Sequence, residues 1–458
     1  MDSSSEAPLL LTRHKEDDEA MGGKRGWWKE ATEEAGRLTA LAAPMIAVAL
    51  LQLMMQLIST VMVGHLGEVA LAGAAIANSL TNVSGFSVLD LHLDWKLFVG
   101  RPMEQSSIIS YPCIPTGQEP QIANEAGKYA LWLIPGLFAF SVAQCFSKFL
   151  QCQSLIFPMV LSSMTTLVVF IPLCWFMVYK VGMGNAGAAL SVSICDWVEV
   201  TVLGLYIKFS PSCEKTRAPL SWEAFKGIGS FMRLAIPSAL MICLEWWSYE
   251  LLVLLSGILP NPALETSVLS ICISTVVLLY NLPYGIGTAA SVRVSNELGA
   301  GNPEGARMVV SVALSIIICS AVLVSTTLLA LRHFIGIAFS NEEEVINYVT
   351  RMVPVLSVSV ITDSFQGVLS GVSRGCGWQH LGAYVNLGAF YLIGIPTALF
   401  FGFTMNLRGM GFWIGMIAGG ATQVTLLSVI TAKTNWSKMA DKAKERVFEE
   451  RLPTQAAL

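Results

Sequence analysis

Long apolar segments alternate with short polar ones along almost the whole chain. About 20 apolar residues are needed for one helix to cross a hydrocarbon core ~30 Å thick. Eleven segments reach this length, and they lie at 38–63, 69–89, 126–150, 157–180, 186–207, 230–257, 263–289, 306–336, 345–372, 381–403 and 409–432. Each predicts one transmembrane helix, so the pattern predicts an all-α polytopic membrane protein.

Polar stretches divide these segments into two groups. Residues 1–37 are predicted to form a disordered tail, 208–228 a loop and 433–458 a second tail. The segments between them form an N-lobe, 38–207, and a C-lobe, 229–432. All three polar stretches contain several lysines and arginines, and the positive-inside rule therefore places all of them in the cytosol.

The two lobes repeat each other in sequence. A Leu-Ala-x-Pro sequence ending at Pro44 recurs at Pro237, 193 positions later, and Pro135 recurs as Pro354, 219 positions later. The matches include prolines, glycines and polar residues in order, so chance similarity among apolar helices does not explain them. Two-fold internal repeats of spans are typical of secondary transporters, whose substrate sites lie between the halves.

The first lobe departs from this repeat at residues 90–118. The offset between matched positions grows by 26 residues, about one transmembrane segment. The stretch is polar and broken by three prolines, with a fourth at Pro120 just after it, and we interpret it as replacing the end of the second helix and all of the third. The predicted frame is therefore twelve helices with about eleven spans present. An odd number of spans puts the two ends of a lobe on opposite sides of the membrane. The five spans of the first lobe therefore conflict with the cytosolic placement of both its ends.

Composition narrows the class of protein. The 458-residue chain is 54% hydrophobic and 13% charged, whereas soluble domains carry about 25% charge. A net charge of −4 and the absence of a basic, aromatic-interleaved stretch give no sign of nucleic-acid binding. The ten cysteines form no CxxC pair, the histidines have no metal-binding spacing, and no hydrolase or nucleotide-binding motif occurs. The sequence predicts neither an enzyme nor a metal site.

Two carboxylates within apolar segments are the candidates for chemistry. A charge at the centre of a membrane helix costs on the order of 2.5–3.5 kcal/mol, so such residues usually face water, substrate or a proton. In the repeat, Glu245 falls opposite Gln52 and Asp363 falls opposite Gln144. Acids in one lobe and amides in the other predict a proton site in the C-lobe. A structural hydrogen bond between helices is the alternative for Asp363, and also for Gln52 and Gln144.

Further polar and aromatic residues are weaker candidates for lining a substrate cavity. Trp246 and Tyr249 neighbour Glu245, while Tyr280 and Asn281 lie in a segment whose proline and glycines favour a bend beside a cavity. Ordinary helix kinking is the alternative for the second pair. Asp196 and Glu199 share one helix face, and we expect an interfacial position for them.

A polar stretch from Ser291 to Pro303 is predicted to be a loop between spans. It contains Arg293, Asn296 and Glu297, which we interpret as structural residues. Arg293 and Glu297 are spaced to pair as i and i+4.

Several of these motifs together resemble one family. Glu245-Trp246-Trp247, Arg293-Val294-Ser295-Asn296-Glu297-Leu298-Gly299-Ala300-Gly301 and Glu125-Ala126-Gly127-Lys128-Tyr129-Ala130 are similar to the plant branch of multidrug and toxic compound extrusion (MATE) transporters, the DETOXIFICATION proteins. The resemblance covers about 38–89 and 117–432. It implies twelve helices in two six-helix lobes around a V-shaped cavity, and an acid on the seventh and one on the tenth helix that couple transport to protons. Those positions match Glu245 and Asp363.

The resemblance implies a secondary active transporter that exports organic compounds or xenobiotics by proton antiport. Its expected partners are a small organic substrate, protons and the lipid bilayer, and its energy source is a proton gradient rather than a cofactor. The plasma membrane and the vacuolar membrane both remain open. Two alternatives stay beside it: a proton-independent carrier or lipid flippase on the same frame, and a transport-impaired variant that lacks the family's third helix.

Overall fold

The computed structural model describes residues 7–66, 70, 74, 77, 120–214, 216, 228–256, 258–339 and 342–455. Within these ranges the chain is almost entirely helical and contains no β-strand. The helices of the first half are α1 (Ala7–Gly64), α2 (Pro120–Cys152), α3 (Phe157–Trp175) and α4 (Gly184–Phe209). Those of the second half are α5 (Ile228–Ser256), α6 (Pro262–Gly299), α7 (Pro303–Ala330), α8 (Arg332–Phe339), α9 (Glu343–Cys376), α10 (Gln379–Asn386), α11 (Ile395–Leu399), α12 (Arg408–Ala432) and α13 (Trp436–Gln455).

Short irregular segments complete some of these helices. The π-helical segment Phe176–Lys180 extends α3, and the π-helical segments Leu387–Gly394 and Phe400–Thr404 join α10 and α11 into one continuous rod. A single 3₁₀ turn, Pro211–Cys213, follows α4.

Nine helical stretches of the described residues are long and apolar enough to cross a membrane. They are Trp27–Gly64, Asn124–Cys152, Phe157–Lys180, Gly184–Phe209, Leu264–Gly299, Pro303–Ala330, Glu343–Cys376, Gln379–Thr404 and Arg408–Ala432. Helix α5 occupies the further span predicted at 230–257. The predicted all-α polytopic architecture is therefore confirmed. The predicted span at 69–89 and the atypical segment 90–118 fall almost entirely outside the described residues, as does most of the predicted loop 208–228.

The repeated prolines occupy equivalent places in the two halves. Pro44 lies inside α1 and Pro237 inside α5, while Pro135 lies inside α2 and Pro354 inside α9. A proline within a helix removes one backbone hydrogen bond and favours a kink. The repeat therefore places helix irregularities at matching positions of both lobes.

Glycines bring α6 and α9 into close contact at the centre of the C-lobe. A Cβ atom on Gly371 would collide with the backbone of Gly287, and a Cβ atom on Gly287 would collide with the carbonyl oxygen of Gly367. Small residues at such crossings let two membrane helices approach backbone to backbone. This contact fixes α9, which carries Asp363, against α6, which carries Tyr280.

The predicted disorder of residues 1–37 is wrong for the described part of that segment. Helix α1 begins at Ala7, and by Ala31 one face of it is buried against the protein. Glu34 is also buried there, with only 6% of its surface exposed. Many of the polar residues are good helix formers, and contacts with the C-lobe stabilise the helix beyond the apolar segment.

The C-terminal tail is also helical and packed. Trp436 of α13 contacts Trp378 with ring centroids 6.5 Å apart, and Ala440 is buried in the same apolar cluster as Leu38 of α1. The part of α1 around Leu38 and the first turns of α13 therefore lie at one face of the molecule.

The predicted loop from Ser291 to Pro303 is wrong over most of its length. Helix α6 continues to Gly299, so Arg293, Asn296 and Glu297 lie in its last turns. The predicted pairing is confirmed, since Arg293 Nη2 lies 2.8 Å from Glu297 Oε1. This i, i+4 ion pair supports helix where polar composition alone indicates a loop. The connection is short: Gly301 has a φ of 74°, and the Asn302 side chain caps α7.

Candidate functional site

Two carboxylates face one small cavity in the C-lobe. Glu245 comes from α5 and Asp363 from α9, and the cavity between them has a volume of about 30 Å³. That volume holds water but is too small for an organic molecule. The lining residues are Glu245, Trp246, Tyr249, Ile273, Val276, Val277, Tyr280 and Asp363.

A chain of hydrogen bonds ties Glu245 to two other helices. Gln366 Nε2 of α9 donates to Glu245 Oε2 at 2.6 Å. The hydroxyl of Tyr280, on α6, donates to Gln366 Oε1 at 3.1 Å. The carboxylate on α5 is thus held by an amide that is itself oriented by a phenol, and a change at Glu245 acts directly on the packing of three helices.

Asp363 is held by its own helix. The Ser359 hydroxyl, one turn earlier on α9, donates to Asp363 Oδ2 at 2.8 Å. On the other side, Gly420 of α12 is the neighbour of Asp363 Oδ1, and the absence of a side chain there leaves space beside this oxygen. Asp363 therefore has a fixed oxygen and one with room for a proton or water.

Neither carboxylate has an ion-pair partner in the described part of the chain. The contacts of Glu245 and Asp363 come from neutral amide and hydroxyl donors. Both side chains lie in a helix bundle lined by apolar and aromatic groups. The arrangement is suited to taking up and releasing a proton, since a carboxylic acid needs no cation when it is neutral.

Aromatic rings surround this cavity. Tyr249 contacts both Trp246 and Trp413, with ring centroids 6.5 and 6.3 Å apart. On α6, Tyr280 and Tyr284 have centroids 6.3 Å apart. Trp246 and Tyr284 are each more than a third exposed, so the ring of Trp246 remains accessible next to the acids and that of Tyr284 remains accessible one turn beyond Tyr280.

The structure brings three of the six predicted cavity residues, Trp246, Tyr249 and Tyr280, to the acids. The other three lie elsewhere. Gln52 lines a separate cavity of about 10 Å³ in the N-lobe, with Ser163, Thr166 and Glu199 among its neighbours. Gln144 is half-buried on α2, and the amide of Asn281 donates back to the carbonyl oxygens of its own helix.

The expected interfacial position of Asp196 and Glu199 is wrong. Both are buried near the middle of α4, with 8% and 6% of their surfaces exposed. The Ser163 hydroxyl of α3 donates to Glu199 Oε1 at 3.4 Å, and Asp196 packs against Gly136 of α2. Helix α4 lies between α2 and α3, so the face that carries these acids points into the N-lobe rather than towards the membrane surface.

Sequence reasoning missed the residues that support the two acids. Gln366 and Ser359 lie three residues after and four before Asp363, so helical spacing from that acid indicates both of them. A second network is less accessible to such reasoning. Gln423 Nε2 on α12 donates to Asn386 Oδ1 at 2.8 Å, and Asn386 Nδ2 donates to the carbonyl oxygen of Met241, one turn before Glu245. These contacts join helices that are distant in sequence.

Comparison with known proteins places the chain in one family. The MatE family model matches residues 44–92, 111–176 and 237–400, more than half of the chain, and the last range contains both acids. Protein DETOXIFICATION 12 of Arabidopsis thaliana is 48% identical over 445 residues, which covers 91% of this chain and 92% of that protein. Protein DETOXIFICATION 14 of the same plant is 46% identical, with coverage of 98% and 96%.

Solved structures agree with these relatives. The crystal structure of the eukaryotic MATE transporter AtDTX14 is 46% identical in sequence and superimposes with a TM-score of 0.83, covering 91% of this chain and 99% of that one. The Vibrio cholerae MATE transporter VcmN in its bent form has a TM-score of 0.69 at 13% identity, covers 91% and 99%, and shows likeness of fold alone. The chain therefore belongs to the MATE family of transporters, in the branch of the plant DETOXIFICATION proteins.

Proposed function

We propose that this MATE-family transporter exports small organic compounds in exchange for protons. The observation that supports the proposal is the pair Glu245 and Asp363, which face one water-sized cavity with no cation within 4.0 Å of either carboxylate among the described residues. Burying an ionised carboxylate without a counter-charge costs several kcal/mol. Uptake of a proton removes that cost, so the pair is suited to couple proton movement to a change in packing.

The coupling step begins at the Gln366 amide. When Glu245 is ionised, the bond from Gln366 Nε2 is charge-assisted and strong. A proton on Glu245 weakens this bond and, through Gln366, loosens the connection to Tyr280 on α6. The positions of α5, α6 and α9 relative to one another then depend on whether the acids carry protons. Alternating exposure of the site to the two sides of the membrane completes the cycle.

The proposed substrate class follows from the aromatic surroundings. Trp246 lines the cavity of the acids and is partly exposed, and Tyr284, one turn beyond Tyr280 on α6, is partly exposed as well. Such ring faces bind flat organic groups and cations. Because the cavity between the acids is too small for an organic molecule, we place the substrate against these rings and the proton between the acids. Plant secondary metabolites and xenobiotics fit this description, and the driving force is a proton gradient across the plasma or vacuolar membrane, with no cofactor.

Efflux from proteoliposomes with an imposed pH gradient tests the proposal. The probe is a fluorescent aromatic cation such as ethidium, and the variants are Glu245→Gln and Asp363→Asn. Each is expected to reduce proton-driven efflux about tenfold or more, since a neutral amide does not exchange a proton. The matched control is Glu250→Gln, a half-buried acid on the same helix that does not line the cavity. Efflux that is unchanged in Asp363→Asn would remove this residue from the mechanism.

A proton-independent carrier predicts a different result in the same vesicles. Its transport would persist after a protonophore collapses the pH gradient, and the acid variants would retain it.

A transport-impaired chain is the other alternative. The family match is interrupted between residues 92 and 111, within the segment where the sequence departs from the internal repeat. If this alternative holds, the unmodified chain folds but transports no probe in either direction, with or without a pH gradient.

A further inference from the structure

An ion pair joins the two lobes at one end of the molecule. Glu34 lies on α1 of the N-lobe and Arg293 lies 259 positions later, near the end of α6 in the C-lobe. Arg293 Nε lies 2.7 Å from Glu34 Oε1, and Arg293 Nη2 lies 2.8 Å from Glu34 Oε2. Two parallel bonds between a guanidinium and a carboxylate form the strongest and most directional type of ion pair.

The pair is shielded from solvent. The side chain of Glu34 is 7% exposed and that of Arg293 is 16% exposed. Solvent and salt therefore screen this contact far less than they screen an ordinary surface pair. Its strength is large enough to influence how the lobes are arranged.

An apolar contact between the lobes continues directly from the ion pair. Leu38 and Ala42 of α1 are buried in one cluster with Ala290 and Val294 of α6. Farther along, Gly285 of α6 packs directly against Ile46 of α1. The next part of α1, by contrast, packs within a cluster of N-lobe residues that includes Met55, Ile58, Met62 and Val63. The contact of α1 with α6 thus closes one end of the molecule.

Each charge of the pair has a second partner within its own lobe. Arg293 Nη2 also lies 2.8 Å from Glu297 Oε1, and Glu297 Oε2 in turn accepts a bond from Asn302 Nδ2 at 2.9 Å. On the other side, Arg37 Nη1 lies 3.7 Å from Glu34 Oε2. If the lobes separate, neither Glu34 nor Arg293 becomes an isolated buried charge. Loss of one partner from a buried pair is otherwise strongly destabilising.

We infer that Glu34 and Arg293 form a reversible ionic latch, which holds the lobes together at the end where α13 packs and must break when the transporter opens there. After the lobes separate, Arg293 keeps Glu297 and Glu34 keeps Arg37 as a partner. These second partners lower the free energy of the separated state, so the contact can open and close reversibly. The C-terminal helix α13 covers the same end, where Lys444 lies over Gly301. The inference requires alternating access but does not depend on which ion drives transport.

Distance measurements between the lobes test the latch directly. Spin labels are attached to cysteines introduced at two exposed positions, Glu30→Cys and Ser295→Cys, in a chain whose natural exposed cysteines are replaced by serine. Double electron–electron resonance in nanodiscs then measures the distance between α1 and α6. Glu34→Gln is expected to increase the ratio of separated to closed lobes roughly tenfold, the equivalent of one charge-assisted hydrogen bond. Glu33→Gln, the same change one residue earlier on the exposed face, is expected to leave the distance distribution unchanged.

A distance distribution in Glu34→Gln that equals that of the unmodified chain would overturn the inference, as would an equal shift in Glu33→Gln. If Glu34→Gln does not fold, Arg293→Lys serves in its place, because it keeps the charge and loses the two-pronged contact. A second experiment joins cysteines at Glu34 and Arg293 with a short reducible cross-linker. Transport of the fluorescent cation is expected to stop on cross-linking and to return on reduction, and transport that continues through a cross-linked pair would refute the latch.

Discussion

Gln366 connects Glu245 to Tyr280 through a single amide, and this makes its contribution measurable. We expect Gln366→Leu to reduce proton-driven efflux about tenfold, because a hydrogen bond to a charged group contributes about 1.5–3 kcal/mol. Tyr280→Phe removes only the donor that orients the amide, and its effect should be smaller. Initial efflux rates in proteoliposomes provide the measurement.

The matched control for this pair is Ser364→Ala, on the same helix. Ser364 is buried, but its hydroxyl bonds to the backbone oxygen of Val360 rather than to either acid. A loss of efflux in Ser364→Ala as large as that in Gln366→Leu would mean that α9 tolerates no change at all, and the specific role of Gln366 would then be refuted.

At the scale of helices, the crossing of α6 and α9 depends on glycine. A methyl group at Gly371 would overlap the backbone of Gly287, which no side-chain rotation relieves. Gly371→Ala should therefore lower stability by about 1–3 kcal/mol, the usual cost of overpacking. Gly388→Ala is the control, because a Cβ atom there has no heavy atom within 4 Å.

Thermal unfolding in detergent, followed by size-exclusion chromatography, distinguishes the two glycine variants. Gly371→Ala should show a midpoint several degrees lower, and Gly388→Ala should match the unmodified chain or exceed it slightly, since alanine favours helix. Equal midpoints for all three proteins would show that α6 and α9 can move apart at no cost.

The apolar pattern predicts the centres of the spans well and their ends less well. The span predicted at 157–180 coincides with Phe157–Lys180, and the one at 409–432 begins one residue after Arg408–Ala432. The span predicted to end at 289 instead belongs to a helix that continues to Gly299. Polar residues such as Arg293 indicate a loop when their partners are unknown. Here Glu297 on the same helix and Glu34 on α1 satisfy the charge, so the helix continues.

The sequence predicts those residues of the candidate site that the internal repeat of the two lobes singles out. Comparison of the two halves singles out Glu245 and Asp363 because amides stand at the matching positions. It gives no sign of Glu265, a fully buried acid near the start of α6. Tyr348 OH donates to Glu265 Oε2 at 2.8 Å and the Gly409 N–H donates to the same oxygen at 3.1 Å. Those partners lie on α9 and α12, and contacts so distant in sequence leave no local pattern.

On the scale of the whole molecule, the described helices fix which ends share a face. Helix α4 ends beside Cys213, which is buried in the same cluster as Leu38 of α1 and Ala440 of α13. The N-lobe therefore begins and ends at the face that also carries the C-terminal helix. This agrees with the basic character of all three polar stretches.

This arrangement predicts the topology of the chain in a cell. Basic segments remain in the cytosol, so α13 should be cytosolic and α8, at the opposite end of α9, should face the other side.

In cells with the protein in the plasma membrane, a membrane-impermeant thiol reagent should label His333→Cys in α8 without permeabilisation. It should label Ser437→Cys in α13 only after permeabilisation. Both positions are exposed, and the natural exposed cysteines are replaced by serine in both variants. The reverse labelling pattern would contradict the orientation, and equal labelling of both positions in intact cells would contradict the three crossings between α8 and α13. Because the latch between Glu34 and Arg293 lies at the same end as α13, the expected pattern also identifies the closed end of this structure as the cytosolic one.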